Sequence, residues 1–231
     1  MTEMDDPERT LDALRTECGE VSRFVEGLTE ADFARPTRLE LWNVKELLGH
    51  VYRGVERIRV YAADPPGTSP THDSVTYFRS FDGSKGSADA AGVADRAKEV
   101  ANRFPTGGAL VEAWEALWPG VLTEAEAVDP SRVVVTFGPA ITFGEYLRTR
   151  VLEVTVHRMD LEDALGVRGW GTDMAVGIVD EILVGLLGGE PPHELDWDVV
   201  DFIETGTGRR DLTAPERKLL GARARRFPLL G

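Results

Sequence analysis

The chain has 231 residues, 42% of them hydrophobic, with 26 basic against 40 acidic residues and a formal net charge of −14. That length allows one large domain, or one domain with a smaller appendage, and enough chain for a real apolar core. No window offers the ~18 uncharged apolar residues of a membrane span, and the acidic balance disfavours nucleic acid and anionic membranes as partners.

The start, "MTEMDDPERT", lacks the basic and apolar run of a secretory signal, so the expected location is the cytoplasm. The short basic cluster of Arg223, Arg225 and Arg226 reads as a solvated helix face. The single cysteine, Cys18, excludes a disulfide within the chain and a Cys-rich metal site. It falls on an apolar stripe and reads as a small buried hydrophobe. The basic residues are 22 Arg and 4 Lys. That skew, with much Ala and Gly, resembles proteins of GC-rich bacteria.

Helix signals dominate. Asp6-Pro7 offers a cap followed by a proline at the first helical position. The stripe Leu11, Leu14, Cys18, Val21, Val25, Leu28 predicts a helix over about 7–28. Asn43-Val44-Lys45-Glu46 reads as a capping box opening a helix over about 44–62, with His50 beside its apolar side. "ADPPG" ends it, and residues 63–86, rich in Pro, Gly, Ser, Thr and Asp, are expected to be a loop. Helices are expected over about 87–104 and 107–128, the second kinked or interrupted at Pro119-Gly120. "RVVVTFGPAIT" predicts a short strand or an extended connection. Thr142-Phe143-Gly144-Glu145 predicts a capping box and a helix running to Leu165, stopped by Gly166. Helices near 172–187, 197–205 and 214–226 complete an all-α chain: four main helices, up and down, with a small helical C-terminal extension.

One segment is unusual. "EVTVHRMD" (153–160) sets Glu153, His157 and Asp160 among valines and leucines on a helix that reads as buried. Residues four apart share a helix face, about 6 Å apart at Cβ. A divalent ion sits ~2.0–2.2 Å from a histidine nitrogen or carboxylate oxygen, so Glu153 and His157 can share one. A third ligand must come from another helix, and His50 is the natural candidate, since packed helices lie ~8–10 Å apart. On spacing alone, a Glu–His pair is more often a surface interaction worth about 0.2–0.5 kcal/mol. A histidine on an apolar edge is more often a hydrogen-bonded core residue. His72 and His193 sit in loops, which fix ligand geometry poorly.

"LWNVKELLGHV" and the later "YLRTRVLEVTVHRMDLEDALG" together resemble the mycothiol-dependent maleylpyruvate isomerase N-terminal family, within the wider DinB-like group. In that family a tryptophan opens the second helix, a histidine follows on it, and a later helix carries E-x-x-x-H-x-x-D-L. Those positions are Trp42, His50, Glu153, His157, Asp160 and Leu161. The resemblance covers about residues 7–167 and implies a DinB-like four-helix metal-binding bundle, so the expected division is a bundle over 1–168 and the extension over 169–231. It also implies a divalent metal, usually zinc and otherwise nickel or iron, on His50, Glu153 and His157. Mycothiol is the implied co-substrate, and the Arg-rich composition fits actinobacteria, where that thiol replaces glutathione. The family's isomerases carry a separate C-terminal domain that contributes a catalytic arginine. Here about 60 residues follow the bundle, and neither Arg209 nor Arg210 can be matched to that arginine, so the substrate stays open.

Three protein ligands leave open positions, the pattern of a catalytic zinc. A thiol bound there would be deprotonated at neutral pH and could attack a small electrophile. If the thiol later leaves, the outcome is isomerisation; if it stays, S-transfer. Arg150, three residues before Glu153, could hold a carboxylate of the thiol or substrate, or pair with a nearby acid. Asp160 could orient His157 or tie helix to loop. Trp42 reads as packing at the start of its helix. No further catalytic residue is assigned. The alternatives are a metal-activated-water hydrolase and a metal-binding bundle without catalysis, serving binding or regulation. The partners expected are a small-molecule substrate and a low-molecular-weight thiol, with the chain a monomer or homodimer.

Overall fold

A computed structural model describes residues 7–80, 86–136, 139–167 and 169–230, and of 86–91 the backbone only. The described residues form ten α-helices and one small hairpin. In chain order they are α1 (Pro7–Val25), α2 (Glu30–Phe33), α3 (Val44–Ala63), α4 (Ser74–Arg79), α5 (Gly86–Asn102), α6 (Gly107–Glu126), β1 (Val133–Val135), β2 (Ala140–Thr142), α7 (Phe143–Ala164), α8 (Asp173–Leu187), α9 (Val199–Gly206) and α10 (Ala214–Leu220). Short 3-10 turns cover His193–Leu195 and Gly221–Arg226. Among these, no helix is long and apolar enough to cross a membrane.

Four helices make the bundle. α1 packs on α6 and α7, and α3 packs on the same two. α5 lies against α3 from outside this ring. The stripe read from the sequence faces the core: Leu14, Cys18, Val21 and Val25 are buried, against Leu47, Leu110, Trp114 and Val151. Ser22 ties α1 to α6, its hydroxyl accepting from both Trp114 (3.0 Å) and Trp118 (3.1 Å). α7 is buried around most of its circumference, because α1, α3 and α8 all pack on it. The residues expected as an extension share this core. Ile178, Val179, Ile182 and Leu183 of α8 and Phe202 and Ile203 of α9 belong to the same apolar cluster.

Several local expectations take a different form. The segment expected as a loop contains α4, capped by Asp73, whose side chain accepts from the Thr76 N–H. Thr142 does cap α7, but Glu145 does not return to it. Its carboxylate accepts instead from the Ser74 N–H at 2.7 Å, at the start of α4, where a carboxylate also meets the positive end of a helix. α6 runs through Pro119 without interruption. Glu115 and Pro119 both lie on its exposed side, where water can satisfy the carbonyl left without a donor. The valine run becomes a strand paired antiparallel with β2, Val134 opposite Ile141. The proposed cap Asp6 and the turn residues Phe137 and Gly138 lie outside the described residues.

Buried ions fasten α7 in place. Arg158 pairs with Glu17 of α1 (2.9 Å) and with Glu162 (3.0 Å), and donates to the Trp170 carbonyl. Glu17 also accepts from the Thr172 N–H at 2.7 Å, so one carboxylate joins α1, α7 and the start of α8.

Candidate metal centre

The site forms where α3 crosses α7. α3 starts at the Asn43–Glu46 capping box, with both reciprocal hydrogen bonds present. That fixes the helix phase and sets His50 toward α7. Gly49, the preceding residue, allows α5 to come close: a Cβ there would lie 2.9 Å from the Ala97 carbonyl. Trp42, just before the cap, is held on that side by a hydrogen bond from its indole to the Ala94 carbonyl (3.4 Å). Its ring stacks on His50 with centroids 4.8 Å apart. Trp42 therefore packs at its helix start, as expected, and also supports the histidine ring.

The structure brings the three predicted side chains together. His50 Nε2 lies 3.3 Å from Glu153 Oε2, and His157 Nε2 lies 3.4 Å from the same oxygen. One donor atom from each of the three residues lies within 4.8 Å of the other two. Two donors ~2.1 Å from one ion at a tetrahedral angle lie about 3.4 Å apart, so the two shorter separations suit a shared ion. Among the described residues no other histidine, cysteine or carboxylate joins the group. Glu153 is not sealed in the core: 27% of its side chain remains exposed. A shallow cleft, open to solvent, is lined by the three donors with Val51, Gly54, Arg150 and Val154. Its enclosed room is only about 10 Å³, close to that of one water molecule, so it admits the reactive end of a larger molecule rather than enclosing one.

The charges are set by opposing effects. Burial alone would push the Glu153 carboxyl up. Hydrogen bonds from His157 and His50 and the charge of Arg150 outweigh it and hold the carboxyl well below the usual range. Burial pushes the His50 imidazole below its ordinary value, so its nitrogen stays available as a donor of electrons. Burial also opposes the His157 cation, but Asp160 and Glu153 more than compensate and raise its pKa. His157 donates its Nδ1–H to Asp160 at 3.1 Å, which leaves Nε2 facing Glu153. A ligand histidine commonly donates its other nitrogen to a carboxylate in this way. The donor set, one carboxylate and two imidazoles with one tautomer already fixed, fits a borderline divalent cation such as zinc.

Arg150 lies beside the cleft with its guanidinium over the Tyr146 ring (5.0 Å) and its Nε donating to Thr149. Among the described residues, no carboxylate oxygen lies within ion-pair contact of it. Its charge still acts on Glu153 at longer range. Asp160 has no exposed surface and is gripped by Arg209, Nε to Oδ1 at 3.0 Å and Nη2 to Oδ2 at 2.5 Å. This contact was not legible in the sequence, which left Arg209 without a role. His72 and His193 stand apart: the first bonds Thr71, and the second is exposed beside Glu194. Cys18 is buried, and its thiol is pushed far up by burial and by Glu17, which removes it as a nucleophile.

The sequence pattern described as the mycothiol maleylpyruvate isomerase N-terminal domain matches residues 14–162, well over half of the chain. The chain belongs to this family. Residues 14–162 include His50, Glu153, His157 and Asp160 but not Arg209. Among solved structures, the chain is similar to a crystal structure of the mycothiol-dependent maleylpyruvate isomerase, with a TM-score of 0.56 and 18% identity. That likeness covers 81% of this chain and 72% of the other. At that identity it shows the fold, an all-α DinB-like bundle. No curated protein matches the chain.

Proposed function

We propose that this member of the family is a divalent-metal-dependent enzyme that joins a low-molecular-weight thiol, mycothiol, to a small electrophilic metabolite, acting as an isomerase or S-transferase in the cytoplasm. One observation carries the reading. Two imidazoles and one carboxylate meet at the edge of an open cleft, with the Arg150 guanidinium on its lining. A structural site would be closed by a fourth protein ligand.

A cation held by His50, Glu153 and His157, zinc in the first instance, supplies the Lewis acidity that turns a thiol into a thiolate at neutral pH. The protein contributes the rest. Glu153 offsets part of the ion's charge. Asp160 fixes the tautomer and direction of His157, and Trp42 braces His50. Arg150 offers its guanidinium to an anionic group of the thiol or the electrophile, and its own pKa keeps it charged throughout. Val51 and Val154 line the cleft with apolar surface, which strengthens every charge interaction inside it.

The test is a turnover assay with zinc-loaded protein, mycothiol and a conjugated unsaturated acid, run with each component omitted in turn. The reading expects consumption of the electrophile only when metal and thiol are both present. It expects Arg150→Ala to raise KM ten- to a hundredfold while the metal content stays unchanged. Turnover without thiol would replace it with the hydrolase reading, and no turnover with any electrophile tried would favour a non-catalytic bundle.

A further inference from the structure

Asp160 is the meeting point of two parts of the chain. His157, on the same helix, donates to Oδ2. Arg209, 49 positions later, forks across both oxygens. The fork is built rather than incidental. α9 ends at Gly206, and Gly208 turns the chain with φ at 73°. The Glu204 carbonyl then accepts from the N–H groups of both Arg209 (2.7 Å) and Arg210 (3.0 Å). Arg209 Nη1 returns to the Thr207 carbonyl at 2.6 Å, so the guanidinium is held at both its own turn and the carboxylate. Arg38, paired with Asp163 on α7, donates in addition to the Arg209 carbonyl at 3.4 Å.

The neighbouring arginine has a different task. Arg210 bonds both oxygens of Glu216 (3.0 and 3.1 Å) and lies over the Trp197 ring, without touching Asp160. Arg210 therefore holds the C-terminal segment to itself, whereas Arg209 holds it to the carboxylate that aims His157.

We propose that Arg209 is a positioning residue for the metal centre. By locking Asp160 it locks the Nδ1–H bond that points His157 Nε2 into the cleft, so docking of residues 199–230 and binding of the cation reinforce each other. This rests on His50, Glu153 and His157 being the metal ligands. Coupling of two binding events is reciprocal: whatever affinity the docked segment adds to the cation, the cation adds to docking.

The experiment measures zinc affinity by chelator competition, and amide hydrogen exchange over 199–210 with and without zinc, on the full chain. The variants are Arg209→Ala, Arg209→Lys and Arg210→Ala. Loss of such a supporting partner weakens metal binding by ~10–100-fold. That loss is expected for Arg209→Ala, with partial recovery in Arg209→Lys and a change within about twofold for Arg210→Ala. Zinc is expected to slow exchange over 199–210 in the wild type and not in Arg209→Ala. If Arg209→Ala does not fold, Arg209→Gln, which keeps a single donor beside Asp160 but not the fork, carries the same test. Wild-type zinc affinity in a folded Arg209 variant would overturn the proposal. So would an equal loss in Arg210→Ala, which would mark general loosening. A wild type that binds no zinc would instead sink the ligand assignment itself, and is recognised before any variant is compared.

Discussion

His50 Nε2 and Glu153 Oε2 stand 3.3 Å apart although 103 positions separate them in the chain. The contact joins α3 to α7, so a cation held there ties together two bundle helices that the unfolded chain leaves apart. Zinc at a hundred times its Kd should then stabilise the fold by about 2.7 kcal/mol. For a chain of this size that is a rise of roughly 5–10 °C in Tm. Calorimetry with zinc and with a chelator checks it, and Glu153→Gln should abolish most of the difference.

Arg158 and Glu17 form a pair with almost no exposed surface. Removing Glu17 leaves Arg158 with Glu162 and the Trp170 carbonyl, so the cost is that of one charged hydrogen-bonded partner, about 1.5–3 kcal/mol, rather than of a fully unpaired charge. Glu17→Ala should lose that much in urea unfolding and also loosen the start of α8, through the lost Thr172 bond. A loss below about 1 kcal/mol would mean that water reaches Arg158.

Glu216 is the hub of the C-terminal segment. Burial pushes its carboxyl up, but bonds from Thr213, Trp197 and Arg210 outweigh this and bring its pKa to about 2. The folded value is depressed, so the stabilisation is fully present above the unfolded value of about 4.3 and is lost as pH falls through 2. The contribution is of order 2 kcal/mol. Trp197 fluorescence during acid titration should report loosening of the segment in that window. Glu216→Gln should show the loosened signal already at neutral pH.

Gly49 sits where α3 meets α5. A methyl group there would press on the Ala97 carbonyl and the Ala101 amide, both backbone atoms that yield only if α5 moves. Gly49→Ala should cost about 1–3 kcal/mol by overpacking. It should also weaken zinc binding, because α5 carries the Ala94 carbonyl that holds Trp42 against His50. Stability and zinc affinity measured on the same preparation check both.

The parts of this fold that were legible in the sequence are those governed by local rules. The Asn43 capping box and the stripes of α1 and α3 need only a few neighbouring residues to specify them. α4 was missed because it is six residues long and its cap, Asp73 with Thr76, lacks the Glu or Gln of the usual box. Glu145 looked like a local cap partner, yet Ser74, 71 positions away, takes its carboxylate, and no local pattern predicts that. At the site, spacing placed Glu153 and His157 on one face, and helix packing pointed to His50. The grip of Arg209 on Asp160 depends on a left-handed turn after α9 and on how that helix docks, neither of which leaves a mark at the Asp160 position.

Everything proposed for the site depends on His50, Glu153 and His157 holding one ion. Elemental analysis of the purified chain after zinc loading and gel filtration, wild type beside His157→Ala, tests it most directly. About one zinc per chain is expected in the wild type and nearly none in a folded His157→Ala. No metal retained by the wild type, or equal metal in both, would contradict it.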